Sequence, residues 1–271
     1  MPLIFVVGDF GAGDLAFAEI KRKIKSMVRD ADIDYVTVRA YSTISTGFCI
    51  YQLAIDGQEV DSAGGAYIFS NTAPRRDNLK PRKENEGEGL VYARLSTGLE
   101  ILAVFSGNTF SFIKPMIKEL RSVKVENKGS QFRSRDKYPE PLASIIKKDY
   151  SVLGAPIDIS SIPEPPKNRI AYIDGYGNMK LTTRPSDLGL IQGERVRIEV
   201  GKRILHGVYA EGMFNIHEGE LSLAPGSSGT AGNRFLEISI RLGNAWKAFG
   251  EPEIEEEVSV SKAEPGSAPA S

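Results

Sequence analysis

The sequence predicts an α/β N-terminal domain, a mostly parallel sheet flanked by helices, followed by a smaller all-β C-terminal domain. Three observations carry this expectation. Short apolar runs alternate with helical stretches through the first half of the chain. The segment "APIDISSIPEPPKN" then interrupts it with four prolines, as an extended linker would. Beyond it lie strand-like runs separated by Gly, Asn and Pro turns, without a long helical period. The expected boundaries are 1–154 for the α/β domain, 155–168 for the linker and 169–250 for a β barrel or sandwich. The acidic, small-residue segment 251–271 reads as a disordered tail.

Each element follows from its residues. "LIFVV" is a buried-strand pattern, and "LAFAEIKRKIKSMVRD" sets Leu15, Ile20, Ile24 and Met27 near one helix face. "IDYVTVRAY" supplies the next strand, which completes a right-handed crossover unit. "GAYIFS" and "GLEILAVFSGN" are further apolar runs, and "FIKPMIKELRSV" is expected to be helical. Between them "APRRDNLKPRKENEGEG" has alternating charges and no apolar period, so it reads as a solvated insertion. In the second half, "RIAYIDGYGNMKLTT", "RVRIEVGKRILHGVYA", "GELSLAP" and "RFLEISIRLG" are the strand candidates.

Composition narrows the function classes. Among 271 residues, 34 Lys and Arg balance 35 Asp and Glu, so no global field favours nucleic acid or an anionic membrane. No apolar run approaches the length of a membrane span and the N-terminus lacks a signal-peptide pattern, which makes the cytoplasm the expected compartment. The single cysteine, Cys49, cannot form an internal disulfide, and its apolar flanks read as packing. His206 and His217 lack the further ligands a metal would need, so no metal is expected.

The stretch with chemical content is "VVGDFGAGD". Gly8, Gly11 and Gly13 have neither dinucleotide nor P-loop spacing. A carboxylate at Asp9 facing a phosphate in a partly dry cleft would also cost on the order of several kcal/mol. An acidic loop after the first strand suits a ligand that donates hydroxyls or carries positive charge. The alternative is that Asp9 caps the following turn and Asp14 caps the next helix. The residues alone leave both open.

A second signature, "YIDGYGNMKLTT", taken with "GDFGAGD" and with "GSSG" and "FLEISIRLGNAW", resembles the S-adenosylmethionine hydroxide adenosyltransferases, relatives of the fluorinase and chlorinase enzymes. The likeness keeps motif order up to Gly250. It implies a homotrimer whose sites lie between one subunit's first domain and a neighbour's second. S-adenosylmethionine would be the substrate, with no separate cofactor and no nucleic-acid or membrane partner. By this resemblance Asp9 would accept hydrogen bonds from the ribose hydroxyls, with Asp14 as companion. Asp174 and Asn178 would hold the methionine ends, Tyr176 would pack on the ligand, and Ser228 would lie near the adenine. Asn108 and Phe132 would complete the binding set. The reaction implied is displacement of methionine from ribose C5′ by water or hydroxide.

The sequence departs from that pattern where catalysis is expected. The family's V-D-P-G-V-G-T-x-R-R is best matched by "IFSNTAPRRD", in which Arg75 or Arg76 takes the Arg position while the Asp becomes Ser70 or Asn71. F-H-G-R-D is matched by "FRSRD", so Arg133 replaces the His and Ser134 follows it, as a serine does in the halide-transferring relatives. An Asn can orient water and an Arg can stabilise an anion, but neither accepts a proton near neutral pH. Asn71, Arg75, Arg133 and Ser134 are therefore the catalytic candidates. Two further outcomes stay open: a binding protein without turnover, and transfer of a halide.

Overall fold

The computed structural model describes residues 1–56, 65–72, 87–126 and 129–263. The chain divides into two units, Met1–Pro165 and Pro166–Ser271, with the division inside the expected linker.

The first unit runs β1 (Leu3–Gly8), α1 (Leu15–Met27), β2 (Asp32–Thr37), α2 (Thr43–Asp56), β3 (Ala66–Asn71), β4 (Leu90–Leu95), β5 (Glu100–Val104), β6 (Ile117–Val123), α3 (Arg133–Asp136), α4 (Pro139–Ile146) and β7 (Leu153–Pro156). These strands form one sheet in the order β2-β1-β3-β5-β4-β6-β7. β2, β1, β3 and β5 are parallel, whereas β4, β6 and β7 add antiparallel pairs.

Local chemistry explains the antiparallel half. β4 turns into β5 through Ser96–Leu99, with Gly98 at φ 94° and the Leu95 N–H donating to the Leu99 carbonyl. So short a connection permits only an antiparallel neighbour, because a parallel one needs a crossover of about a dozen residues or more. "FIKPMIKELRSV" is not the expected helix: a 3-10 helix, Ser111–Met116, contains Pro115, and β6 begins at Ile117. The missing N–H and fixed φ of proline stop helical propagation there.

α1 follows its apolar spacing with one adjustment. Phe17, Ile20 and Ile24 face the core, while Leu15 is exposed. They pack with Ile4, Val6, Phe69 and Tyr138 into the core on that face of the sheet.

The second unit contains β8 (Ile170–Ile173), β9 (Met179–Leu181), β10 (Arg195–Val200), β11 (Arg203–Tyr209), β12 (Leu221–Thr230), β13 (Asn233–Ile240), α5 (Ala245–Ala248) and β14 (Val258–Lys262). The sheet order is β14-β10-β11-β12-β13-β9-β8, antiparallel except between β11 and β12. β14 lies in the segment expected to be a disordered tail. Its Val258 is buried and pairs with Val200, an anchor hidden behind the acidic residues 251–257.

The expected fold class is thereby corrected. The chain is not a mostly parallel α/β domain with a small all-β appendage, but two domains each built on a seven-stranded mixed sheet. The described residues contain fourteen strands against five α-helices, three of which span eight residues or fewer.

Candidate functional site

The carboxyl ends of the parallel strands define the site. From β1 the chain passes through α1 to β2 on one side, while β3 lies on the other. Such a reversal of strand order is where α/β sheets bind ligands. Gly8 is aligned with both Thr37 of β2 and Asn71 of β3. Asp9 therefore stands at the switch point with Asn71 on the adjoining strand.

Asp9 and Asp14 have separate roles. The Asp14 carboxylate accepts the Ala16 N–H at 2.8 Å and caps α1. The Asp9 carboxylate instead accepts the N–H of Tyr41 at 2.9 Å. Tyr41 has φ 66°, a left-handed conformation that costs a non-glycine residue about 1 kcal/mol or more. The acid thus fixes a strained turn just after the end of β2.

The start of α2 is rich in hydroxyls. Ser42, Thr43, Ser45 and Thr46 at the start of α2 are all buried. Ser42 accepts the Ser45 N–H at 3.0 Å, and Thr46 donates to Thr72, which follows β3, at 2.9 Å. After β5, Ser106 donates to the Thr72 carbonyl and the Asn108 N–H donates to the Thr43 hydroxyl. The Asn108 side-chain oxygen accepts a bond from Ser111 at 3.1 Å. Cys49, further along α2, is buried, and burial pushes its thiol up to about 12 despite a hydrogen bond with Ser45. That makes it inert as a nucleophile.

Phe132, Arg133 and Ser134 reach the same edge. The Phe132 ring meets Phe10, the residue after Asp9, at 5.9 Å. Arg133 donates to the Tyr138 hydroxyl at 3.2 Å, and its guanidinium lies against Gly87, where a side chain would displace it. Gly89 in turn accepts the Phe105 N–H beside the end of β5.

Four buried side-chain atoms among the described residues have no hydrogen-bond partner: Ser70 Oγ, Glu88 Oε1, Ser134 Oγ and Asn178 Oδ1. Native interiors satisfy nearly all such groups, and each orphan costs about 1–3 kcal/mol. Ser70 lies near the end of β3, Glu88 just before β4, and Ser134 in α3. Asn178 belongs to the second domain, where it is buried in the "DGYGN" turn between β8 and β9.

That turn is a closed hydrogen-bonded unit. The Asp174 carboxylate accepts the N–H groups of Tyr176 and Asn178 and the Asn178 amide at 2.9 to 3.0 Å. Gly177 has φ 82°, and its carbonyl accepts the Trp246 N–H. Tyr176 is 80% exposed, so its ring stands in solvent on this domain. Ser228 is buried at the irregular stretch of β12 between Pro225 and Gly229.

The fold has solved counterparts. The chain resembles the crystal structure of an uncharacterized conserved protein from Thermotoga maritima, with a TM-score of 0.72 and 18% identity, covering 95% of this chain and all of that one. It also resembles a conserved hypothetical protein from Thermus thermophilus, with a TM-score of 0.65 and 14% identity over 96% of this chain and all of that one. At these identities the likeness establishes the fold alone. No protein-family model and no curated protein matches the chain.

Of the sequence-predicted residues, Asp9, Asn71, Asn108, Phe132, Arg133 and Ser134 gather at the carboxyl edge of the first sheet. Asp174, Tyr176 and Asn178 share one turn of the second unit, with Ser228 elsewhere in its sheet. Arg75 lies outside the described residues. Sequence reasoning missed Tyr41, Thr43 and Glu88. The hydroxyl run "YSTIST" is a visible signal for the first two; Glu88 was hidden in a stretch that reads as solvated. Among the described residues, no helix is long and apolar enough to cross a membrane.

Proposed function

We propose that this protein binds S-adenosylmethionine at the carboxyl edge of its first sheet and hydrolyses it to adenosine and methionine. The single observation that carries the reading is the alignment of Gly8 with Asn71, which supports it by bringing Asp9, the next residue after β1, and Asn71 to the ends of adjoining strands. At about 4 Å and a surface-like dielectric, an acid there disfavours a phosphate by about 4 kcal/mol. The same charge suits a phosphate-free ribose joined to a sulfonium.

On this reading Asp9 accepts ribose hydroxyls, Asn71 orients the attacking water, and Arg133 with Ser134 stabilises negative charge on the incoming oxygen. The leaving group needs no acid, since a sulfonium departs as a neutral thioether. Asp174, Tyr176, Asn178 and Ser228 complete the site from a neighbouring copy in a homotrimer, and the protein acts in the cytoplasm. Support for the second half of the site comes from the buried, unpartnered Asn178 Oδ1.

A second reading, binding without turnover, is favoured by the packing of Arg133 on Gly87 and its bond to Tyr138, which commit the guanidinium to the fold. Incubating the protein with S-adenosylmethionine, separating the products and measuring binding by calorimetry tests both. Adenosine supports hydrolysis, and unchanged ligand with measurable affinity supports the binding protein. A 5′-halo-adenosine formed in halide replaces hydrolysis with halide transfer, and neither binding nor turnover removes the reading.

A further inference from the structure

Glu88 closes the charged segment 73–89, which by composition is a solvated stretch. Its environment is different. One carboxylate oxygen, Oε1, is buried and has no hydrogen-bond partner among the described residues. The preceding residue, Gly87, lies against the Arg133 guanidinium. The following residue, Gly89, accepts the Phe105 N–H, which ties the segment to the end of β5. Tyr138, which accepts a bond from Arg133, also feels the Glu88 charge: burial first, and the carboxylate in addition, raise its hydroxyl above the ordinary range.

A carboxylate oxygen withdrawn from water and left without a donor is a destabilising choice for a surface loop. Gln would supply a similar shape without the charge. The arrangement is intelligible if the oxygen receives its donor from a bound molecule. Arg133 and Asn71 cannot take a proton near neutral pH, Asp14 is committed to capping α1 and Asp9 is assigned to the ribose hydroxyls, so the proposed hydrolysis has no base assigned to the attacking water. Glu88 supplies one on the same edge.

We propose that Glu88 is the proton acceptor for the attacking water, its carboxylate held beside Arg133 and Tyr138 at the carboxyl edge of the first sheet. This inference rests on the hydrolytic reading given above. The water oxygen forms its bond to C5′ as the C5′–S bond breaks with its electron pair on sulfur. Methionine leaves as a neutral thioether, and the water proton passes to Glu88. Arg133 offsets charge on the oxygen during the transfer.

The test compares wild-type protein with Glu88→Gln and Glu88→Asp, using S-adenosylmethionine as the probe. Glu88→Gln should lower the rate of adenosine formation by about 100-fold or more, as removal of a general base does. Its affinity by calorimetry should stay within about twofold of wild type, and its melting temperature should not fall, because the oxygen it replaces has no bond to lose. The acid limb of the wild-type pH–rate profile should disappear, and Glu88→Asp should retain part of the activity. An active wild type with an equally active Glu88→Gln overturns the role of Glu88 alone. Equal loss of melting temperature and activity in both variants, with the limb unchanged, assigns Glu88 to structure and also overturns it. A wild type that forms no adenosine removes the hydrolytic reading, and this inference with it.

Discussion

Gly47 of α2 faces the backbone carbonyl of Asn108, and a β-carbon at Gly47 would stand closer to that oxygen than any real contact allows. The absent side chain lets the loop after β5 settle on the helix, where Thr43 takes the Asn108 N–H. Gly47→Ala should therefore displace residues 106–109 and destabilise the protein by about 1 to 3 kcal/mol, the usual penalty of overpacking. Thermal denaturation measures the loss, and weakened binding of S-adenosylmethionine would show that the Asn108 loop belongs to the pocket.

Asp9 and Asp14 should separate cleanly. Asp14→Ala removes a helix cap and should lower stability by about 1 kcal/mol with ligand affinity unchanged. Asp9→Ala should weaken S-adenosylmethionine binding by about 1.5 to 3 kcal/mol, the range for hydrogen bonds to a charged group. Paired denaturation and calorimetry measurements distinguish the two, and equal affinities for wild type and Asp9→Ala would count against the ribose role.

At the opposite end of β5, Glu100 is buried and accepts the hydroxyls of Tyr92 and Tyr150 at 2.8 Å while pairing with Lys148 at 2.5 Å. Burial, then the bond to Glu100, pushes the Tyr92 hydroxyl far above its ordinary range. Glu100→Ala would leave the fully buried Tyr92 hydroxyl without an acceptor and should cost about 1 to 3 kcal/mol. Lys148 is largely exposed and can return to water, so its loss of a partner adds little. Because this cluster lies away from the carboxyl edge, a urea midpoint should fall while affinity for S-adenosylmethionine holds.

Stability should also depend on acid. Hydrogen bonds from Lys167 and the Arg184 backbone hold the Asp187 carboxyl below its ordinary range, and Arg135 with Ser130 does the same for Asp136. Both groups bind protons more weakly folded than unfolded. Their contribution is complete above the unfolded carboxylate range and disappears as pH falls through it toward the depressed folded values. Melting temperature should be level near neutrality and decline below about pH 5, where unfolded carboxylates begin to protonate. Asp187→Asn should make that decline shallower; an unchanged slope would show that other carboxylates set it.

The sequence alone determined the local signals: the strand before Asp9, the α1 helix with Ile20 and Ile24 on its apolar face, the proline-rich division of the chain, and the turn at "DGYGN". These depend on neighbours a few residues away, so periodicity and turn chemistry reveal them. Only tertiary structure decided the rest. Packing made Phe17 rather than Leu15 complete the buried face of α1. Direction of strand pairing is a long-range property, and the antiparallel insertion of β4 between β5 and β6 made the first sheet mixed. β14 looked like an acidic tail because its anchor, Val258, acquires meaning only beside Val200. Glu88 looked solvated for the same reason: charge in a sequence indicates water by default, and the burial of its Oε1 depends on what the folded chain packs around it.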